Sequence, residues 1–202
     1  MAKKEISRRE FLKTGALSVG GAAASVGLTA GHKTQDAPGG IGPEAAPVEL
    51  HVNGKTHRVT IEPRVTLLRA LRNHLDITGP KEPCDRGACG GCTVLVEGKP
   101  VVSCMMLALD ARGKEITTAE GLVKKDGRLD EVQEAFGRLD AFQCGYCTPG
   151  MVVSAKALID RHPEPTPEQI REGLCGNICR CAAYPNIFKA VEHAAQWKRE
   201  GY

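Results

Sequence analysis

The chain has 202 residues, with 23 glycines and only 4% aromatic residues, which allows one or two small domains with modest cores and many loops. Five of its 27 Lys and Arg residues (Lys3, Lys4, Arg8, Arg9 and Lys13) and two of its 24 Asp and Glu residues (Glu5 and Glu10) fall within the first thirteen positions. The formal charge of +3 therefore belongs to that segment, and the balanced remainder, without a basic run, excludes an electrostatic footprint for nucleic acid.

The N-terminal segment reads "SRREFLK" at 7–13 and continues into the weakly apolar "TGALSVGGAAASVGLTAG" at 14–31. A charged start before a weakly apolar run has the layout of an export signal. Glycines at 15, 20, 21 and 27 make it a poor membrane span, and it falls short of the roughly 20 clearly apolar residues that a span requires. Ser7, Arg8, Arg9, Phe11, Leu12 and Lys13 stand in the register of a twin-arginine signal, which this segment resembles. That resemblance implies export to the periplasm of a chain that folds, and takes up any cofactor, beforehand. A basic amphipathic N-terminus on a cytoplasmic protein is the competing reading. Cleavage fits after Ala24, Ala30 or the Ala45–Ala46 pair. Residues 1–31 are thus expected to be the signal, and 32–47, with Pro38, Gly39, Gly40, Pro43 and Pro47, a flexible linker. No integral membrane segment is expected in the mature chain.

From Val48, two alternating runs, "VELHV" and "KTHRVTI", flank Asn53–Gly54, a strong hairpin signal. "TLLRALRNHL" at 66–75 carries apolar residues at helical spacing. A cysteine-rich loop follows, then a strand "TVLVEG" at 93–98, a turn expected at Lys99–Pro100, "VVSCMM", and a last strand and exit turn in "EITTAEGL" at 115–122. Hairpin, helix, loop and strands make a small α+β domain over 48–124. After Lys124 the strand pattern stops. Helices are expected in 129–139, 150–162, 166–174 and 186–200, with Thr166, Pro167 and Gln169 forming a capping box. Residues 125–202 therefore read as a helical bundle.

Nine cysteines fall at 84, 89, 92, 104, 144, 147, 175, 179 and 181. The first four are spaced C-x4-C-x2-C-x11-C, the plant-type ferredoxin arrangement that holds a [2Fe–2S] cluster. The loop "CDRGACGGC" is costly to order. Glycines at 87, 90 and 91 let backbone N–H groups turn inward around cluster sulfur. Disulfides suit an exported protein, but Cys89 and Cys92 sit too close in a glycine loop and the total is odd. Structural zinc prefers paired C-x2-C knuckles. The second set is "CGYC" at 144–147 and "CGNICRC" at 175–181, which in isolation could hold zinc. The six histidines are scattered without paired spacing, and Met105, Met106 and Trp197 read as packing residues.

Together, "FQCGYCTPGM" at 142–151 and "GNICRCAAYPNI" at 176–187 resemble the iron–sulfur subunits of the molybdenum hydroxylases, the xanthine oxidase and aldehyde oxidoreductase family. The resemblance covers about residues 48–200, and the twin-arginine leader aligns it with the small subunit of periplasmic aldehyde oxidoreductases. It implies an α+β fold: an N-terminal β-grasp ferredoxin domain and a C-terminal four-helix domain, each with one [2Fe–2S] cluster. By the same resemblance, Cys84, Cys89, Cys92 and Cys104 hold the first cluster. Cys144 and Cys147 serve one iron of the second, and Cys179 and Cys181 the other. Gln143 and Cys181 stand where the family touches the pterin, a molybdopterin cytosine dinucleotide on a large partner subunit. Electrons are then expected to pass from molybdenum to the helical-domain cluster, to the ferredoxin-domain cluster, and on to a medium FAD subunit or a cytochrome acceptor.

Several residues depart from the family pattern. Pro83 replaces the usual Gly, Gly91 the usual Ala, and "CRCAAY" the usual "CRCTGY", with Ala182 and Ala183 at the changed positions. Cys175 has no place in that pattern, and a second-cluster set that uses it in place of one of the four is the alternative. Cys175 is expected to be a small buried residue at a helix end, ahead of Gly176 as C-cap. No substrate-activating constellation is visible, so the chain is expected not to be catalytic alone. The rival readings are the same role in an N-heterocycle hydroxylase, a ferredoxin-like carrier, and a zinc-stabilised interaction module.

Overall fold

The first hairpin is built on its turn. Asn53 and Gly54 both take positive φ (52° and 72°), the backbone twist that closes a two-residue hairpin. They join β1 (Ala46–Val52) to β2 (Lys55–Ile61) in antiparallel register. The computed structural model describes residues 42–201; the expected export signal and most of the expected linker lie outside them. Strand β1 starts two residues before the boundary expected from sequence, because Ala46 and Pro47 already face Ile61 and Thr60 across the ladder.

Thr66 opens the next element by accepting the Arg69 N–H at 3.3 Å. One α-turn, α1 (Leu67–Arg69), widens directly into a π-turn over Ala70–His74, burying Leu67, Leu68, Ala70 and Leu71. Beyond the cysteine loop come β3 (Thr93–Val96) and β4 (Lys99–Val102). Their turn is Glu97–Gly98 (φ 51° and 71°) and not the expected Lys99–Pro100. Pro100 lies within β4, opposite Leu95. Strand β4 is an edge strand, where a residue without an N–H is tolerated. Strand β5 (Glu115–Thr117) completes a five-stranded sheet of order β2-β1-β5-β3-β4, with β5 parallel to β1 and antiparallel to β3. This is the β-grasp arrangement, and its core gathers Val48, Leu50, Val52, Leu71, Val94, Val96 and Ile116.

Four helices follow: α2 (Glu131–Arg138), α3 (Thr148–Arg161), α4 (Pro167–Leu174) and α5 (Tyr184–Glu200). The Thr166–Gln169 capping box forms as expected, and a second one, Asp130–Gln133, starts α2. Phe136, Met151, Ile159, Ile170, Leu174, Ile187 and Val191 fill the bundle core. Asp130 also pairs with the Lys156 ammonium at 3.3 Å, which in turn holds Asp160 at 3.0 Å, tying α2 to α3.

Strand β3 joins the two halves, and all four of its residues are buried. Val94 and Val96 belong to the sheet core, while Leu95 packs on Val153 and Ala157 of α3. A strand covered on both faces reads as a continuous apolar run rather than an alternation, and "TVLV" has that composition. Among the described residues, no helix is long and apolar enough to cross a membrane. Met106 and Trp197 pack against the two cores as expected. Met105 does not: it is 64% exposed and lies over the cysteine loop at Gly87.

Candidate metal centres

All nine cysteines lie among the described residues, and none is in a disulfide. Eight of them meet as thiol pairs. Cys84 contacts Cys89, and Cys92 contacts Cys104. In the helical half Cys144 contacts Cys181, and Cys147 contacts Cys179. Charge coupling between Cys84 and Cys104, and between Cys144 and Cys147, joins each two pairs into a quartet. The second quartet is therefore paired across its two motifs, 144 with 181 and 147 with 179, and not motif by motif as expected from the resemblance. Among the described residues, no three His, Cys, Asp or Glu side chains converge as one mononuclear ion would need.

The first quartet is held by a loop whose N–H groups turn inward. Asp85 and Gly87 take φ of 48° and 74°, and Gly90 68°. The Gly87 N–H donates to Cys104 Sγ at 3.2 Å. Inward N–H groups of Arg86 first, then the Cys89 thiol, lower the Cys84 pKa to about 7. Burial pushes Cys104 up to about 11 and raises Cys89 as well. Ser103, fully buried, donates its hydroxyl to the Cys92 carbonyl at 2.6 Å and so ties the two ligand segments together. Arg69 on α1 grips the loop from outside through Asp85 at 2.8 Å.

The second quartet sits where two helices begin. Cys147 is the N-cap residue of α3, and Cys181 lies two residues before Ala183, the N-cap of α5. Both helices are long enough for their positive ends to favour thiolates and a negatively charged cluster. Cys144 is exposed, and the backbone N–H of Tyr146 first, then Cys181, lowers its pKa. Cys147 is pushed up to about 12 by burial and then by Cys179. The Tyr184 phenol accepts the Cys179 N–H at 2.8 Å, a support that the sequence pattern gave no sign of. Gln143 is exposed beside Cys144. Cys175 is exposed at the C-terminal cap of α4, contrary to the expected burial. Gly176 lies beyond that cap without a positive φ.

The two loops touch. Ile178, one residue before Cys179, donates its N–H to the Cys89 carbonyl at 2.9 Å. The Asn177 amide donates to the Gly90 carbonyl at 3.0 Å. On the other side Gly150 brings the first turn of α3 against the same backbone, where a Cβ would collide with the Gly90 oxygen. Nothing in the spacing of Asn177 or Gly150 announces these contacts, which exist only once the halves pack.

The donor chemistry fits two binuclear iron–sulfur clusters: four thiols in two contacting pairs at each site, ringed by inward N–H donors. A β-grasp ferredoxin fold followed by a four-helix unit, each with one such quartet, defines a class of two-cluster [2Fe–2S] proteins. Comparison with known proteins agrees. The family model described as "2Fe-2S iron-sulfur cluster binding domain" matches residues 50–121, and that described as "[2Fe-2S] binding domain" matches 118–192. The aldehyde oxidoreductase iron–sulfur-binding subunit PaoA of Escherichia coli K12 is 42% identical over 94% of this chain and 88% of its own. The nicotinate dehydrogenase small FeS subunit of Eubacterium barkeri is 44% identical over 74% of this chain and 94% of its own. Among solved structures, quinoline 2-oxidoreductase from Pseudomonas putida 86 superposes with a TM-score of 0.73 at 38% identity, covering 78% of this chain and 98% of the matched one. The chain belongs to the family of iron–sulfur subunits of the molybdenum hydroxylases.

Proposed function

We propose that this chain is the electron-transfer subunit of a heteromeric molybdenum-cofactor aldehyde oxidoreductase. In it, electrons leave a molybdenum centre on a large partner subunit for an FAD subunit or another acceptor. Cys84, Cys89, Cys92 and Cys104 hold one [2Fe–2S] cluster, and Cys144, Cys147, Cys179 and Cys181 the other. When bound, the clusters supply the one-electron centres of this relay, the helical-domain one standing nearer molybdenum. The observation that carries the reading is the contact between the two cysteine loops. The Ile178 N–H on the Cys89 carbonyl links a residue next to one ligand directly to another ligand. The contacts of Cys144 with Cys181 and of Cys147 with Cys179 support a cluster with one such pair on each iron. Gln143 and Cys181, at the exposed end of the second site, are the groups that would meet a molybdopterin cytosine dinucleotide on the partner.

The relatives' names also favour a second reading, the same role in a hydroxylase of N-heterocycles such as nicotinate or quinoline. The aldehyde reading is preferred because the likeness to PaoA runs over 94% of the chain and so reaches into the N-terminal segment, whereas that to the nicotinate enzyme covers 74%. Assay of the assembled complex with aromatic aldehydes against N-heterocycles separates the two.

The complex is expected to contain about four irons and four labile sulfides per copy of this chain, with two distinct paramagnetic signals on reduction. The purified chain without partners should show no substrate turnover. Stoichiometric zinc without visible absorbance overturns the assignment.

The Arg8–Arg9 leader supports twin-arginine export to the periplasm after cluster insertion. Arg8→Lys with Arg9→Lys is expected to hold this chain, and any partner lacking its own leader, in the cytoplasm. Fractionation followed by immunoblotting checks this; undiminished periplasmic protein would mean another route.

A further inference from the structure

Thr148 follows Cys147 directly and is the first residue of α3. Among the described residues, its Oγ1 is a fully buried side-chain oxygen with no hydrogen-bond partner in the protein. Such a group is destabilising unless something else satisfies it, so an unpaired one in a native fold calls for an acceptor the chain does not itself provide. A threonine inside a helix ordinarily bonds the carbonyl one turn back, but in the first turn the residue four back is Cys144, outside the helix. The nearby backbone is already committed. The Gly145 carbonyl accepts the Thr148 N–H at 3.2 Å, and the Cys147 carbonyl accepts the Met151 N–H at 3.0 Å. The concavity that Thr148 shares with Phe136, Phe142, Pro149 and Val152, about 360 Å³ in volume, is lined mainly by apolar groups. The Oγ1 itself presents no accessible surface to a water entering from there.

We propose that the Thr148 hydroxyl donates a hydrogen bond to the sulfur of the cluster held by Cys144, Cys147, Cys179 and Cys181, and thereby raises that cluster's reduction potential. This rests on the ligand assignment above. One-electron reduction adds one negative charge to the cluster while the hydroxyl proton stays on its oxygen. The bond is therefore stronger in the reduced state and favours it. Thr148 is a positioning and tuning residue for the relay, adjusting the acceptor nearer molybdenum and leaving the ferredoxin-domain cluster alone.

The test is a redox titration of the assembled complex, followed by the two paramagnetic signals, in Thr148→Val, Thr148→Ala and Thr148→Ser. Valine keeps the shape and removes the donor; alanine only removes atoms and serves if valine impairs loading; serine restores the hydroxyl. Valine and alanine should lower the reduced-to-oxidised ratio of the helical-domain cluster about tenfold at a fixed poise, equivalent to about 59 mV for one electron. Serine should match the unmodified protein, and the other cluster should not move in any variant. Two full signals with unchanged potentials in valine or alanine overturn the hydroxyl's role while leaving the ligand assignment intact. Equal shifts in serine and alanine also overturn it. Absence of the second signal in the unmodified complex would instead break the ligand assignment.

Discussion

Cys179→Ser is expected to strip or degrade one of two clusters, leaving about half the iron, whereas Cys175→Ser is expected to keep both. Cys179 is 7% exposed, contacts Cys147, and has its N–H fixed on the Tyr184 phenol. Losing its thiolate opens one iron to solvent and leaves Cys147 buried without its pair. Cys175 stands exposed at the cap of α4, and its N–H bonds the Glu172 carbonyl through the backbone alone. Its substitution therefore costs little even in packing, within the roughly 0.5 kcal/mol typical of surface changes. Iron and sulfide analysis with quantitation of the two paramagnetic signals decides between them. Half iron in Cys175→Ser with full iron in Cys179→Ser would overturn the assignment.

The second large effect is expected at Gly150. An alanine Cβ there would collide with the Gly90 carbonyl oxygen and stand 3.1 Å from the Gly91 Cα, both backbone atoms that cannot swing aside. The Gly90 carbonyl is also where Thr93 and Asn177 anchor, at 2.7 and 3.0 Å. Moving α3 away thus strains the first cysteine loop and the approach of the second together. Gly150→Ala should cost about 1–3 kcal/mol, the range for overpacking, and lower occupancy at both sites. Gly137→Ala is the control. It lies in α2 with nothing within 4 Å of its would-be Cβ, so it should be neutral or gain up to about 1 kcal/mol from helix propensity. Denaturant unfolding of the loaded protein, with iron analysis, reads both.

What the sequence makes legible is what local chemistry dictates. Asn53–Gly54 demands positive φ at two successive residues and so marks its hairpin, and Thr166 with Gln169 marks a helix start. Glu97–Gly98 forms the same kind of turn, but Pro100 is a stronger turn residue on paper and drew the expected turn two positions late. Its place on an edge strand is a property of the sheet, invisible in a single segment. The Asp130–Gln133 capping box is equally readable from its local pattern. The eight clustered cysteines were legible from spacing, yet their pairing was not, because which thiols meet depends on how α3 and α5 bring their first turns together. Cys175 looked buried because it ends an amphipathic helix, whereas the buried face ends at Leu174 and Cys175 falls on the exposed side beyond it. Asn177 and Ser103 support the sites through contacts with residues distant in sequence, and Tyr184 through a bond to the Cys179 N–H; none of them carries a local pattern.

Pro83 and Gly91, two departures from the family pattern, touch each other: a Cβ on Gly91 would stand 2.6 Å from the Pro83 ring. Sterically they are one feature rather than two. A lineage with glycine at 83 and alanine at 91 cannot admit the proline until the alanine has gone, and this chain cannot regain the alanine until the proline has gone. The path between them runs through glycine at both positions, the entropically costliest form of the loop. The order in which the two positions can change is therefore constrained by that single contact.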